Sequence, residues 1–279
     1  MIAEDTGAVA SRRRDLHGVG REARLARCKT STIQVVSEVE LLILLLVAVA
    51  TSAITAVVGA GGGLILLIVI LQFVDPLVAV PVHAVIQLFA NSTRAVTLRG
   101  EADWEVLRPY LAPVLPLSVA GYLLADGVPE DGGRAVIGVF ALVAVWWPAA
   151  TNWLAPSPGR GHRFALVGAL NGLLQPTIGA TGPLLSPAFK AATRDHPAFV
   201  ATFAFAQVFN HSAKIVVFGL AGLAWSEHTG MMIVGIIGVV VGTRIGSQWM
   251  RRVAARLLDG LFAAAVTAGA LRLVLGWVL

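Results

Sequence analysis

Residues 41 to 74 carry no charge, and in their middle stands VVGAGGGL, residues 57–64. Roughly 20 apolar residues suffice to cross a bilayer, so this run holds more than one hydrophobic segment. Gly59, Gly61, Gly62 and Gly63 interrupt it, because glycine weakens a helix wherever it replaces a residue with a side chain. The chain must therefore place a helix break inside apolar surroundings. Backbone N–H groups freed there stay unsatisfied unless protein or a polar cavity covers them. Further charge-free runs cover Ala135–Gly159, Phe164–Phe189 and Gly260–Leu271, and only His83 interrupts Pro76–Thr93. Charged residues make up 13% of the 279, about half the share usual in soluble domains. The composition is that of an all-α, polytopic integral membrane protein in the lipid bilayer.

The net charge of +5 arises from basic residues spread over short loops and the N-terminal region, where they orient spans by the positive-inside rule. No basic patch interleaved with aromatic residues occurs, which argues against a nucleic-acid partner. Cys28 is the single cysteine, so an internal disulfide and a CxxC site are excluded. No residue pattern calls for a cofactor or a metal. Residues 1–40 lack a signal-peptide pattern and form a polar tail, expected to be disordered, with a functional basic arm as the alternative.

The chain repeats itself. A shift of 120 residues lays Val58-Gly59-Ala60-Gly61-Gly62-Gly63-Leu64 on Ile178-Gly179-Ala180-Thr181-Gly182-Pro183-Leu184. The same shift pairs Gln87 with Gln207, Asn91 with His211, Ser92 with Ser212 and Arg94 with Lys214. At 121 it pairs Gly121 with Gly242, and at 122 Arg134 with Arg256. Each unit parses into five hydrophobic segments: about 41–58, 62–74, 77–98, 106–125 and 133–154, then 164–177, 182–190, 197–223, 229–250 and 254–278. The membrane domain is thus repeat 1 (41–154), a linker (155–163) and repeat 2 (164–279). The first two segments of each repeat are short and joined at the glycine motif, as crossing or re-entrant half-helices. Arg244, Arg251, Arg252 and Arg256 place their loop in the cytoplasm, whereas Asp126, Glu130 and Asp131 place the equivalent loop outside. Equivalent loops on opposite sides imply inverted repeats, with the linker inside and both termini outside. The basic residues of the tail run against that last placement.

A G-x-GGG motif early in each of two apolar repeats resembles the sulfite exporter TauE/SafE family of membrane permeases. The second copy, Gly179-Ala180-Thr181-Gly182-Pro183-Leu184, is similar to that family's repeat, and the resemblance covers residues 41–279. It departs at Thr181 and Pro183, and Gln175-Pro176 precedes it. The resemblance implies a permease of the cell (inner) membrane that moves small, often sulfur-containing anions such as sulfite or sulfonates.

The candidate substrate contacts follow from position. Gly61, Gly62 and Gly63, with Thr181 and Gly182, offer backbone N–H groups at helix starts, where the helix dipole favours an anion; close helix packing is the other reading. No Gly-Lys-Ser/Thr follows Gly63, so a nucleotide loop is excluded. Gln87, Asn91 and Arg94 share one helical face, as do Gln207, His211 and Lys214. Ser92, Asn210 and Ser212 flank them. Such a stripe lines a cavity or bonds a neighbouring helix. Arg94 and Lys214 would neutralise an anion; snorkelling to the interface competes for Arg94 more than for Lys214. His211 is a candidate proton carrier or a packing donor, so a proton or a sodium ion stands as the coupling ion. Trp104, Trp225, Trp249 and Trp277 suit the interface. An intramembrane hydrolase lacks its motifs, and His211 and Ser212 diverge by about 100° on a helix. A secondary transporter of a small anion is the function expected, with a passive anion channel as the alternative.

Overall fold

The computed structural model describes residues 36–147, 161–249 and 255–278. They are helical almost throughout, without a β-strand among them, and Val36–Leu279 form one compact unit. The helices are α1 (Glu38–Val58), α2 (Gly62–Ile70), α3 (Pro76–Thr97), α4 (Trp104–Asp126), α5 (Glu130–Trp146), α6 (Gly161–Ile178), α7 (Gly182–Ala192), α8 (His196–Leu220), α9 (Thr229–Trp249) and α10 (Ala255–Val278). Each lies on one of the expected hydrophobic segments. Most of the tail and of the linker, and residues 148–154 of the fifth segment, lie outside the described residues.

Of the boundaries that differ, two have clear local reasons. α1 starts at Glu38, three positions before the apolar run, because Ser37 and Glu40 form a capping box. The Ser37 backbone N–H donates to Glu40 Oε2 at 2.8 Å and the Glu40 N–H to Ser37 Oγ at 3.3 Å, an arrangement worth about 1 kcal/mol. α8 ends at Leu220 and not at 223, with Gly222 in the left-handed region at φ 91°.

The glycine motif breaks the first hydrophobic run as its composition demands. α1 stops at Gly59 (φ 93°), which donates its N–H to the Thr55 carbonyl at 2.8 Å. Gly61, at φ 106°, completes the reversal before α2 begins. The start of α2 then lies against the flank of α1, where a Cβ at Gly62 would overlap the Thr51 carbonyl and Thr55 Oγ1. With 9 and 11 residues, α2 and α7 reach only about 13–17 Å at 1.5 Å per residue, too little to cross a bilayer. Among the described residues, five helical stretches are long and apolar enough to do so: α1, α3, α4, α8 and the stretch Trp225–Gln248.

Helices pack in pairs: α4 on α6, α1 on α9, α3 on α8 and α5 on α10. Because lipid is as apolar as leucine, such pairs are held by close approach over small residues. Cβ atoms on Gly168, Gly172 and Gly121 would meet the carbonyls of Tyr110, Val114 and Leu173. The register advances in the same sense on both helices, so α4 and α6 run parallel. Gly238, Gly242 and Gly246, spaced every fourth residue, do the same against Leu45, Val49 and Ala53, so α1 and α9 are parallel too. α3 and α8 are antiparallel: Asp103, just past α3, donates its N–H to Thr202 Oγ1 at 2.9 Å. Near the other end the His83 and His211 rings lie 5.7 Å apart. Large apolar side chains on the outside, such as Leu42, Leu46, Leu123 and Leu220, suit a lipid-facing surface. Trp104 is exposed and Trp225 packs on the core, while the side chains of Trp249 and Trp277 lie outside the described residues.

Candidate functional site

The two breaks face one cavity of about 30 Å³ in the middle of the α3–α8 pair. At about 10–15 Å³ per water-sized group, it has room for two or three such groups. α3 lines it with His83, Gln87, Asn91 and Arg94, and α8 with Phe203, Gln207, His211 and Lys214. The remaining wall is backbone and small side chains from both breaks, together with Thr55, Leu64 and Gln175.

Helical spacing explains how α3 and α8 reach it. Residues 83, 87, 91 and 94, and their counterparts 203, 207, 211 and 214, repeat every three or four positions and so share one face. The starts of α2 and α7 meet these faces in similar ways. A Cβ at Gly63 would lie 3.2 Å from Gln87 Nε2, and one at Gly182 3.5 Å from Gln207 Nε2. α2 has no side-chain cap on its first turn. Its free N–H groups and positive dipole end are available at the cavity.

The electrostatics are one-sided. Arg94 is 6% exposed and Lys214 1%, and no aspartate or glutamate lines the cavity. Ion pairs such as Arg134–Asp75, Arg194–Glu101 and Arg194–Asp195 lie elsewhere, and among the described residues no carboxylate pairs with either cavity cation. Lys214 Nζ donates to the Gly179 carbonyl at 2.5 Å, holding the second break in place. Arg94 Nη2 donates to Asn91 Oδ1 at 2.6 Å, and Asn91 Nδ2 to the Gln87 carbonyl at 2.8 Å. His83 Nε2 donates to the Gly63 carbonyl at 2.8 Å, which leaves Nδ1 as the acceptor in the neutral ring. Buried side-chain atoms without a hydrogen-bond partner are His83 Nδ1, Arg94 Nη1 and His211 Nδ1, among the described residues. All three belong to residues lining this one cavity, whereas buried polar groups elsewhere are nearly always satisfied.

Of the expected site residues, Gly61, Gly63, Gln87, Asn91, Arg94, Thr181, Gly182, Gln207, His211 and Lys214 come together here. Gly62 is spent on the contact with α1. Asn210 stands one layer back, donating to Gln207 Oε1 at 2.6 Å and to the Tyr110 hydroxyl at 2.8 Å. Ser92 and Ser212 are half-buried and do not line the cavity. His83, whose counterpart 120 residues later is the apolar Phe203, lines the cavity with it. Tyr110 and Asn171 do not stand out in the sequence, and Gln175 does so only as the residue preceding the second motif. Asn171 Nδ2 donates to Tyr110 Oη at 2.9 Å, and Thr181 Oγ1 to Asn171 Oδ1 at 2.5 Å. Gln175 Nε2 donates to Ser118 Oγ at 3.1 Å. Their signal was Asn171 and Gln175 four residues apart in an uncharged run just before the second glycine motif.

No curated protein and no solved structure matches the chain. The family model described as Sulfite exporter TauE/SafE matches residues 44–273. That stretch contains both breaks, both polar helices and every residue that lines the cavity. The chain therefore belongs to the sulfite exporter TauE/SafE family, a family of membrane transporters and not of enzymes.

Proposed function

We propose that this multi-pass protein is a secondary transporter of the inner membrane that moves a small sulfur-containing anion, such as sulfite or a sulfonate, by alternating access. One observation carries the reading: two buried cations, Arg94 and Lys214, face a small cavity that no carboxylate lines. Buried charge is costly unless it is neutralised, and an anion drawn from either side supplies the missing partner. Gln87, Asn91 and Gln207 would orient it, while Asn210 and Tyr110 hold Gln207. Backbone at Gly61, Gly63, Thr181 and Gly182 would complete its shell.

The helix pairing supports two inverted repeats. Exchanging the two sets of five helices turns the α1–α9 pair into α6–α4 and leaves α3–α8 and α5–α10 as they are. If the arginine-rich loop after α9 is cytoplasmic, then α9 runs inward. Its parallel neighbour α1 does the same and starts outside. A proton is favoured over sodium as coupling ion, since two histidines meet beside the cations and no carboxylate is present to hold a metal ion. The small cavity, with room for two or three water-sized groups, favours a carrier over a passive channel. Lys214→Gln, reconstituted into proteoliposomes, is expected to insert normally and to lose sulfite and sulfonate flux. Transport at the native rate in that variant would show the charge to be structural.

A further inference from the structure

A second cavity, of about 240 Å³, shares one residue with the first: Arg94 lines both. For scale, an engineered apolar cavity of about 150 Å³ takes up benzene. Ala56, Thr97, Leu98, Val200, Thr243 and Ser247 complete its wall. Its chemistry is unlike that of the anion cavity. Arg94 is its one charged residue, and its hydroxyl hydrogens are largely committed. Thr97 Oγ1 donates to the Thr93 carbonyl at 2.7 Å, and Ser247 Oγ to the Thr243 carbonyl. Thr243 Oγ1 and Ser52 Oγ share a hydrogen bond of 2.7 Å. With those donors engaged and apolar carbon around them, this space has nothing to hold a second anionic group.

We infer that the two cavities are the head and tail compartments of one site, and that the anion carried is an organic one bearing an uncharged, largely apolar chain. This rests on the anion reading above and deepens it. Arg94 is the residue that both compartments share, and its guanidinium Nη1 is buried and unpartnered. An anionic head at Arg94 and Lys214 would place a chain attached to it in the larger compartment. A bare inorganic anion would leave that compartment unused. A lipid acyl chain could fill an apolar crevice, but it would leave the buried guanidinium nitrogen without an anion.

The test is a homologous series, from methanesulfonate to hexanesulfonate, measured by calorimetry on the full chain in lipid nanodiscs against empty nanodiscs. Affinity is expected to rise roughly fourfold per methylene. Ala56→Leu, which fills the compartment, and Ser247→Trp, which blocks it from its exposed rim, should each bring the hexanesulfonate-to-methanesulfonate ratio toward one. A flat series in the native protein, with methanesulfonate still bound, overturns the tail compartment and leaves the anion site standing. A gradient unchanged in a folded variant places the chain elsewhere and also overturns it. So does a co-purifying phospholipid that Ala56→Leu expels and hexanesulfonate does not. Failure of every sulfonate and of sulfite to bind sinks the anion reading itself.

Discussion

The two helix breaks face the same cavity but are held by different means. Behind the second break runs a chain of side-chain hydrogen bonds: Thr181 to Asn171, Asn171 to Tyr110, Tyr110 to Asn210 and Asn210 to Gln207. The positions 120 residues earlier are Gly61 for Thr181, Thr51 for Asn171 and Ala90 for Asn210, and 121 residues after Tyr110 stands Met231. Thr51 bonds only within its own helix, to the Val47 and Ala48 carbonyls, and Ala90 and Met231 are buried apolar residues. The cations differ likewise: Lys214 is tied to the break carbonyl of Gly179, while Arg94 bonds Asn91 on its own helix. One break is thus cross-linked by a chain of polar side chains, and the other is held by close backbone packing and the bond from His83 to the Gly63 carbonyl. In a carrier, such a difference would make the first break the part more free to move.

The sharpest way to break this contrast is to add one methyl group to each break. Gly62→Ala forces a Cβ onto the Thr51 carbonyl, which cannot yield without shifting a helix. Overpacking of this kind costs typically about 1–3 kcal/mol, and more against backbone. Gly182→Ala meets Gln207 Nε2 at 3.5 Å and Phe203 at 3.9 Å, ordinary contact distances. Thermal melts in detergent should show a large drop for the first and little change for the second. Equal drops would mean that both breaks rely on packing.

The cations give the next contrast. Arg94→Met and Lys214→Met both remove a buried charge and should both lose anion binding. The first also strips Asn91 Oδ1 of a donor on its own helix, whereas the second strips the Gly179 carbonyl and cuts the tie between α8 and the break. Each lost bond is one to a charged group, worth about 1.5–3 kcal/mol, but the Asn91 side chain can turn and the Gly179 backbone cannot, so Arg94→Met should be the more stable of the two. If the two variants melt together, the Lys214 bond does not hold the break.

Much of this site was legible in the sequence, and the limits have a physical basis. The glycine run, its partner 120 residues on, and the stripes through Gln87 and Gln207 could be read because spacing along a helix fixes which residues share a face. What such a stripe faces is settled by neighbours distant in the chain. Thus Asn210, which only flanks the stripe in sequence, backs the wall through Tyr110 on another helix, while His211 on the stripe lines it. Gly62 could not be told from Gly61 and Gly63, because the neighbour excluding its Cβ is 11 residues away on a chain that has reversed. Tyr110 was invisible because its hydroxyl finds Asn171 and Asn210 across two other helices. The pairing of α4 with α6 rests on glycines whose spacing is common in any membrane helix.

Tyr110→Phe deletes the centre of the polar chain behind the second break and leaves Asn171 and Asn210 each short of a partner. Interhelical hydrogen bonds in membranes average about 0.6 kcal/mol and reach about 1.7, so a loss in that range is expected. The anion affinity of the variant should fall with it, because Asn210 would no longer fix Gln207. Rescue of stability without rescue of affinity by an apolar partner, Asn210→Leu, would show that the chain positions the site as well as bracing it.

The most local of the expected effects tests the comparison most directly. Thr181→Gly converts the second break to the composition of the first and removes one hydrogen bond, Thr181 Oγ1 to Asn171 Oδ1. The lost bond is worth about 0.6 kcal/mol, and the freedom of the new glycine adds roughly 0.5–1 kcal/mol, too little to unfold the protein. Its consequence should be local, since opening of a segment depends on its own tethers. Amide hydrogen exchange at residues 179–182 should speed up toward the rate at 59–63, while α4 and α6 keep theirs. Unchanged exchange at 179–182 would mean that the bond from Lys214 to Gly179 holds the second break by itself. The two halves would then differ in their cation and not in the polar chain behind it.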